Sequence, residues 1–280
     1  MRPLPTDAEA VVFDCDGLLV DTETCWTVAE TALFAAHGLP FGPEQKALVL
    51  GRTVDDAAEV MADFFGRPGA GPELAAELLE RVRTELDRGA AALPGAVELV
   101  RACRAAVPVA VASNSPRDLL DRALRSAGLA EYVTHSFAAD EVSRPKPAPD
   151  LYLTACEALG AQPERSVAFE DSATGVAAAR RAGLCVAVVP SLPHIPLDHD
   201  WSTPTLTDPA LQAWAGTLGS ASAHALDVGV PPSTRRAGAP DDPADTSPLT
   251  RPGESGAQCG RPPHGRVLPG ENTGMRCSTS

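Results

Sequence analysis

Residues 10–17 have the sequence Ala10-Val11-Val12-Phe13-Asp14-Cys15-Asp16-Gly17. Four apolar residues that end at an acidic, glycine-containing turn predict a short strand buried on both faces. Apolar runs at 107–112, 166–169 and 185–189 then alternate with helical patterns of 11 to 13 residues. This alternation predicts an α/β fold with a doubly wound, parallel (Rossmann-like) sheet.

The first strand is separated from the rest of this alternation by a helical region. Four helical patterns follow one another without a strand pattern between them, at 22–37, 43–50, 53–65 and 72–88. Gly and Pro separate them, and Thr53 can cap the helix at 53–65, with Asp56 at its position N3. We therefore expect an α/β core formed by residues 1–16 and 91–217, with residues 17–90 inserted as a helical domain.

The composition changes near residue 218. Residues 219–280 contain nine Pro and nine Gly in 62 positions, and no aromatic residue follows Trp214. Such a segment cannot bury enough apolar surface to fold, so residues 218–280 are predicted to form a disordered tail. It could be a partner-binding segment or a stretch that is not under selection, and the sequence does not separate these alternatives.

Charge and cysteine content limit the partners and the compartment. The net charge is −14, which argues against nucleic acid or an anionic membrane as a partner. Residues 1–10 lack the apolar segment of a signal peptide, and no apolar run reaches 18 residues. Seven cysteines without a CxxC pair are not a disulfide framework. We expect a cytoplasmic monomer that acts on a small molecule.

Acidic pairs follow two of the predicted strands. Asp14 and Asp16 end the first, and Glu170 and Asp171 end the strand at 166–169. In a parallel sheet these ends meet at one edge, where ligands bind. Mg²⁺ would neutralise the carboxylates, and one aspartate could also act as a nucleophile while another serves as acid and base. The simpler alternatives are a turn at Asp14 and helix capping at Glu170 and Asp171.

Two further motifs suit an anion at the same edge. Ser113 and Asn114 precede a predicted helix, whose N-terminus favours negative charge. Ser115 and Asp118 also form a predicted capping box for that helix. Lys146 lies between two prolines, which restrict its backbone, and a restrained lysine suits a phosphoryl group. The alternative for Lys146 is a solvated loop residue.

Taken together, the four motifs describe phosphoryl transfer with an aspartate nucleophile. In this order they resemble the haloacid dehalogenase (HAD) superfamily, in the branch with a helical cap that includes β-phosphoglucomutase and sugar-phosphate phosphatases. The resemblance covers about residues 8–217 and includes the insert, which we call the cap. The matching motifs are Phe13-Asp14-Cys15-Asp16-Gly17, Ala112-Ser113-Asn114-Ser115, Lys146-Pro147-Ala148-Pro149-Asp150 and Phe169-Glu170-Asp171-Ser172.

The resemblance implies a role for each core motif residue. Asp14 would attack phosphorus, and Asp16 would protonate the leaving oxygen and then activate water. Ser113 and Lys146 would hold the phosphoryl oxygens, supported by Asn114.

The resemblance also implies a metal site and a substrate loop. Mg²⁺ would be bound by Asp14, the carbonyl of Asp16 and Asp171, with Glu170 close by or acting through water. The substrate loop of the cap would lie near Gly51-Arg52-Thr53, where Arg52 either contacts a polar substrate or is only a surface residue.

Three positions narrow the activity within this superfamily. Asp16 is present, whereas members that cleave 2-haloacids lack this second aspartate. Lys46 is the only lysine of the cap, and it does not match the cap lysine of phosphonate-cleaving members. Trp26 stands where the mutases carry a proton-relaying histidine, although it could simply pack inside the cap.

We therefore expect a Mg²⁺-dependent phosphatase that acts on a small phosphorylated metabolite such as a sugar or polyol phosphate. Two alternatives remain open at this point. One is a phosphomutase, which shares all four motifs. The other is a non-catalytic, phosphate-sensing protein.

Overall fold

The computed structural model describes residues 3–49, 52–191 and 197–219. Within them, six parallel strands form one sheet in the order β3-β2-β1-β4-β5-β6. The strands are β1 (Ala10–Phe13), β2 (Val109–Ala112), β3 (His135–Phe137), β4 (Ser166–Glu170), β5 (Cys185–Val188) and β6 (Trp201–Ser202). The predicted parallel α/β sheet is thereby confirmed. The predicted tail lies outside the described residues from residue 220 onward.

Strand β1 lies in the middle of the sheet, and its sequence explains why. All four of its residues are apolar and fully buried, as expected for a parallel strand covered by helices on both faces. Val12 lies opposite Ala110 of β2 and Ala168 of β4, while Phe13 lies opposite Phe169. This register brings the carboxyl ends of β1 and β4 side by side.

Nine α-helices occur in the described residues: α1 (Thr22–Ala36), α2 (Pro43–Val49), α3 (Val54–Phe64), α4 (Gly71–Arg88), α5 (Ala96–Ala106), α6 (Arg117–Ser126), α7 (Asp150–Leu159), α8 (Ala173–Ala182) and α9 (Pro209–Thr217). The first four lie between β1 and β2, where the helical insert was predicted. The exact borders of the core and the cap stay predictions. None of the helices in the described part of the chain is both long and apolar enough to span a membrane.

The chain leaves and re-enters the core at neighbouring points. The Asp21 amide donates to the Ala91 carbonyl at 2.9 Å, and the Leu93 amide donates to the Leu19 carbonyl at 2.9 Å. Helix α4 of the insert also packs against α6 of the core. At this contact, Arg83 Nε donates to Asp118 Oδ2 at 2.5 Å. This ion pair is partly exposed to solvent, which weakens the contribution of its charge.

Helix caps show where local sequence signals hold and where they fail. The Asp56 amide donates to Thr53 Oγ1 at 3.1 Å, so the predicted cap of α3 is confirmed. The predicted capping box of Ser115 and Asp118 is wrong. Helix α6 starts after Pro116 without a side-chain cap, because the Ser115 hydroxyl donates to Asp16 and Asp118 binds Arg83.

Two elements near the end of the core have no counterpart in the sequence prediction. Strand β6 has only two residues, which is too short for a periodic signal. Helix α9 is capped by Asp208, which accepts from the amides of Ala210 and Leu211. Trp214 of α9 packs against Phe169, with ring centroids 5.6 Å apart. The chain up to α9 therefore contributes to the core.

We predict that Phe169→Ala lowers the free energy of unfolding by about 3–5 kcal/mol. Phe169 is fully buried and stacks on Phe13 with ring centroids 5.1 Å apart, so its loss leaves a cavity under the ends of β1 and β4. Denaturant unfolding of both proteins measures the change. Phe64→Ala is the control, because Phe64 is 39% exposed and its loss should cost much less. Equal losses would contradict this view of the core.

Candidate active site

Seven of the eight side chains predicted for the site come from the carboxyl edge of the sheet and the loops beside it. They are Asp14, Asp16, Ser113, Asn114, Lys146, Glu170 and Asp171. The Asp14 amide donates to the Phe169 carbonyl at 3.0 Å, so the two acidic motifs begin next to each other. The eighth residue, Arg52, belongs to the cap.

Lys146 links the acidic residues of the two strands. Its Nζ atom lies 2.6 Å from Asp14 Oδ1 and 2.6 Å from Glu170 Oε1, and its side chain is 3% exposed. It also lies 5.1 Å from the centre of the Tyr152 ring. Burial alone would lower the pKa of Lys146, but the charges of Asp14 and Glu170 raise it well above its usual value. The contacts with Asp14 and Glu170 therefore favour the charged form of the lysine inside the site.

Glu170 is held in place from several sides. Besides Lys146, its Oε1 atom accepts from the Tyr152 hydroxyl at 2.5 Å. Its Oε2 atom accepts from the Asp171 amide and the Ser172 hydroxyl, both at 3.2 Å. Because the residue is fully buried, these bonds replace all of its contacts with water. Its carboxylate is therefore held by four hydrogen bonds.

The buried carboxylates form a group that fits a divalent metal ion. Asp14, Glu170 and Asp171 each offer one oxygen, and these oxygens lie within 4.8 Å of one another. When all three carboxylates are ionised, they exceed the single positive charge of Lys146 by two negative charges. Carboxylate oxygens are the ligands that hard divalent ions prefer. A divalent cation would therefore balance the charge of this group.

The pKa values of two acids in this group are raised, mainly by burial. Burial raises the pKa of Asp14 well above its usual value, against the opposing effect of Lys146. Burial, followed by the charge of Glu170, raises the pKa of Asp171 to about 7. Both shifts arise because a carboxylate charge is costly to bury without a full complement of positive charge.

Asp16 has different surroundings from Asp14 although only Cys15 separates them. Its Oδ2 atom accepts from the Ser113 hydroxyl at 2.7 Å and from the Ser115 hydroxyl at 3.0 Å. Its carboxylate does not belong to the metal-binding group found among the described residues. The two aspartates of this motif are thus placed for different tasks, one beside the lysine and one beside two hydroxyls.

Asn114 ties the end of β2 to the loop that carries Lys146. Its side-chain amide donates to the Lys146 carbonyl at 3.0 Å, and its Oδ1 atom accepts from the Lys146 amide at 2.8 Å. Both polar atoms of the side chain are therefore committed to the backbone of Lys146. This arrangement suits a residue that positions the lysine.

A cavity of about 640 Å³ lies between this edge and the cap. Its core wall includes Asp16, Asn114, Ser115 and Lys146. Its cap wall includes Glu23, Trp26, Glu30, Lys46, Arg52, Thr53, Asp55 and Asp56. Ser113 is fully buried and is not among the residues that line the cavity. Arg52 Nε donates to the Leu48 carbonyl at 2.6 Å, and Gly51 of the predicted substrate loop lies outside the described residues.

Two glycines are required by the closeness of the acidic side chains. A Cβ atom on Gly175 would lie 2.0 Å from both Glu170 Cδ and Oε2, and still closer to Oε1. Gly17 has φ +78°, and its Cβ would lie 2.7 Å from Asp171 Oδ2. The glycines that follow the first and last motifs therefore leave room for the carboxylates.

Sequence reasoning missed two residues that contact this group. Tyr152 binds Glu170, but in the sequence it is only one of the apolar positions of a helix. Ser191 forms a side-chain hydrogen bond with Asp171, which lowers the pKa of that aspartate. Because Ser191 lies three residues after β5, examining the end of that strand would have found it.

Comparisons with known proteins support this description. A family model described as haloacid dehalogenase-like hydrolase matches residues 8–183, more than half of the chain. Validoxylamine A 7'-phosphate phosphatase from Streptomyces hygroscopicus subsp. limoneus is 35% identical over 181 residues, which is 64% of this chain and 84% of that protein. Fructose-1-phosphate phosphatase YqaB from Escherichia coli (strain K12) is 31% identical, over 62% of this chain and 92% of that protein.

A solved structure is also similar to this chain. CbbY from Rhodobacter sphaeroides in complex with phosphate has a TM-score of 0.63 and 29% identity, covering 72% of this chain and 96% of that chain. The resemblance expected from the four motifs is therefore confirmed.

We predict that Gly175→Ala lowers the free energy of unfolding by about 1–3 kcal/mol, because the new methyl group overlaps the fixed carboxylate of Glu170. Gly216→Ala is the matched control. Gly216 lies in α9 with no atom within 4 Å of an added Cβ, so alanine there should stabilise by about 0.5–1 kcal/mol. Thermal and denaturant unfolding measure both. A neutral Gly175→Ala would contradict the close packing described for Glu170.

Proposed function

Because the chain belongs to the haloacid dehalogenase-like hydrolases, we propose that it hydrolyses small phosphomonoesters through an aspartyl-phosphate intermediate. The observation that carries this proposal is the contrast between Asp14 and Asp16. One carboxylate lies 2.6 Å from a buried lysine and beside two more acids, whereas the other accepts only from hydroxyls among the described residues. This contrast suits a nucleophile and an acid–base residue that act in turn.

The first step transfers the phosphoryl group to the protein. A carboxylate oxygen of Asp14 attacks phosphorus, and the bond between phosphorus and the ester oxygen breaks. Asp16 gives its proton to the departing oxygen, which leaves as an alcohol. Lys146 carries the positive charge nearest Asp14, so it stabilises the charge that develops on the phosphoryl oxygens. Ser113, whose hydroxyl donates to Asp16, supports the phosphoryl group as well.

The second step releases phosphate. Asp16, now ionised, takes a proton from water, and the resulting hydroxide attacks phosphorus. The bond between phosphorus and Asp14 breaks, so inorganic phosphate leaves and Asp14 recovers its carboxylate. Because Asp16 is held by two hydroxyls rather than by Lys146, it remains available to move protons in both steps.

We propose Mg²⁺ as the divalent ion. Asp14, the carbonyl of Asp16 and Asp171 would hold it, with Glu170 nearby, and their oxygen donors fit this ion. When bound, Mg²⁺ supplies positive charge for the phosphoryl oxygens. The excess of two negative charges in this group supports a divalent rather than a monovalent ion.

Trp26 supports a phosphatase over a phosphomutase. It lines the cavity where a mutase of this superfamily would carry a histidine, and an indole ring cannot shuttle protons as an imidazole does. Dehalogenation of 2-haloacids is disfavoured because Asp16 is present. A non-catalytic, phosphate-sensing role would not require the full set of carboxylates found here.

The substrate class and the cellular setting are also proposals. One relative is named for fructose 1-phosphate and another for validoxylamine A 7'-phosphate, which favours a sugar or polyol phosphate here too. Four cysteines in the described residues, Cys15, Cys25, Cys103 and Cys156, are buried free thiols, in keeping with a reducing cytoplasm. We further propose that the enzyme acts as a monomer without nucleic-acid or membrane partners.

We predict that the full-length protein releases p-nitrophenol from p-nitrophenyl phosphate in Mg²⁺ and loses this activity in EDTA. Asp14→Asn removes the nucleophile at nearly constant volume, so kcat/KM should fall by at least about 10³-fold. Asp63→Asn, at an exposed position of the cap, should leave the activity unchanged. If folded Asp14→Asn retained wild-type activity, the proposed chemistry would be wrong.

A further inference from the structure

One face of α1 points into the cavity with three side chains. Glu23, Trp26 and Glu30 occupy positions i, i+3 and i+7, which lie on one side of a helix, and all three line the cavity. The core wall of the same cavity contains Asp16 and Lys146. A phosphate ester bound by its phosphoryl group at the core would therefore extend its other end toward α1.

Lys46 of α2 lies between the two glutamates of this face. Its Nζ atom is 2.7 Å from Glu23 Oε1 and 2.7 Å from Glu30 Oε2. Burial lowers the pKa of Lys46, but its hydrogen bonds to Glu23 and Glu30 outweigh that effect and keep the pKa above its usual value. The side chain of Glu30 is only 7% exposed. We call Glu23, Lys46 and Glu30 the cap triad, which carries one net negative charge.

The rest of the charged cap wall adds to this negative potential. Asp55 and Asp56 line the cavity in the first turn of α3, where they offset the positive end of the helix dipole. Thr53 already accepts from the Asp56 amide, so this helix start is a poor site for a further anion. Arg52 is the remaining basic residue among the described lining, so four acidic and two basic side chains leave the cap wall with a formal net charge of −2.

The two ends of the cavity therefore favour different chemical groups. Lys146 and a divalent ion attract phosphate at the core, whereas a second phosphate or a carboxylate at the cap end would meet like charge. Lys46 already occupies the position between the glutamates that a substrate cation would take. Neutral hydroxyl groups suit this end, because they can donate to carboxylates and accept from the lysine.

We propose that the cap triad and Trp26 bind the hydroxyl groups of the substrate and reject a second anionic group. The substrates would then be monophosphates of neutral sugars and polyols rather than bisphosphates or phosphorylated acids. The indole ring of Trp26 offers a flat apolar surface beside the hydroxyl-binding groups. This inference rests on the proposed phosphatase function and specifies its substrate class.

The test compares three kinds of ester with the full-length protein in Mg²⁺. p-Nitrophenyl phosphate has no sugar hydroxyl groups, so its cleavage measures the phosphoryl-transfer reaction without recognition of hydroxyl groups by the cap. Fructose 1-phosphate and fructose 1,6-bisphosphate, or glucose 1-phosphate and its 1,6-bisphosphate, differ only in the second phosphate. We expect wild-type kcat/KM to favour at least one monophosphate over its bisphosphate by about 50-fold or more.

Variants of the triad should narrow this preference. In Glu30→Gln we expect the ratio of kcat/KM for the preferred monophosphate to that for its bisphosphate to fall by about tenfold. The ratio of the same monophosphate to p-nitrophenyl phosphate should fall similarly. Glu23→Gln, on the exposed side of the same lysine, should change both ratios in the same direction and serves if Glu30→Gln does not fold. Glu44→Gln, exposed on α2 and outside the cavity lining, is the control that changes neither.

The outcomes distinguish failure of the proposed phosphatase function from failure of the proposed role of the cap triad. If wild type cleaves p-nitrophenyl phosphate but treats monophosphates and bisphosphates alike, the role of the cap triad is wrong and the phosphatase function stands. The same conclusion follows if folded Glu30→Gln and Glu23→Gln keep the wild-type ratios. If wild type cleaves none of these esters, both the function and the inference built on it fail.

Discussion

Buried negative charge at the ends of β1 and β4 is the constraint on which the rest of this site depends. The sheet register places Asp14 beside Glu170 and Asp171, and burial makes each ionised carboxylate costly unless a positive charge lies close by. Lys146 supplies one such charge, and Asn114 fixes the loop that carries it. The same excess of negative charge makes this edge suitable for a divalent cation and, with that cation, for an anionic phosphoryl group.

The cap gives the opposite end of the cavity a different character. At the core, positive charge is brought to buried acids, whereas at the cap a lysine is neutralised by the glutamates on both sides of it. We therefore propose that Lys146 contributes to the reaction and that Lys46 contributes to the choice of substrate. These are the only two lysines in the chain, and each is held by a pair of acidic side chains. The net charge of −14 thus does not prevent the binding of a phosphate ester, because the local charges decide it.

Much of the core site was predictable because parallel strands end at one edge of a sheet, which brings Asp14, Glu170 and their neighbours together. The helix cap that the local sequence predicts at Thr53 is also confirmed. Predictions failed where a distant partner changed a local preference, since Ser115 binds Asp16 instead of capping its helix. The pairing of Lys46 with Glu30 could not be predicted either, because it depends on how α2 packs against α1.

The most direct test of the central claim is a search for the phosphorylated aspartate itself. Asp16→Asn should still react with p-nitrophenyl phosphate, whose leaving group needs no proton, but it should be unable to activate water. Acid quenching after mixing should then show about one p-nitrophenol per protein and a phosphoryl group on the peptide that contains Asp14 by mass spectrometry. Release of phosphate without a labelled peptide, or a phosphoryl group on a residue other than Asp14, would contradict the account.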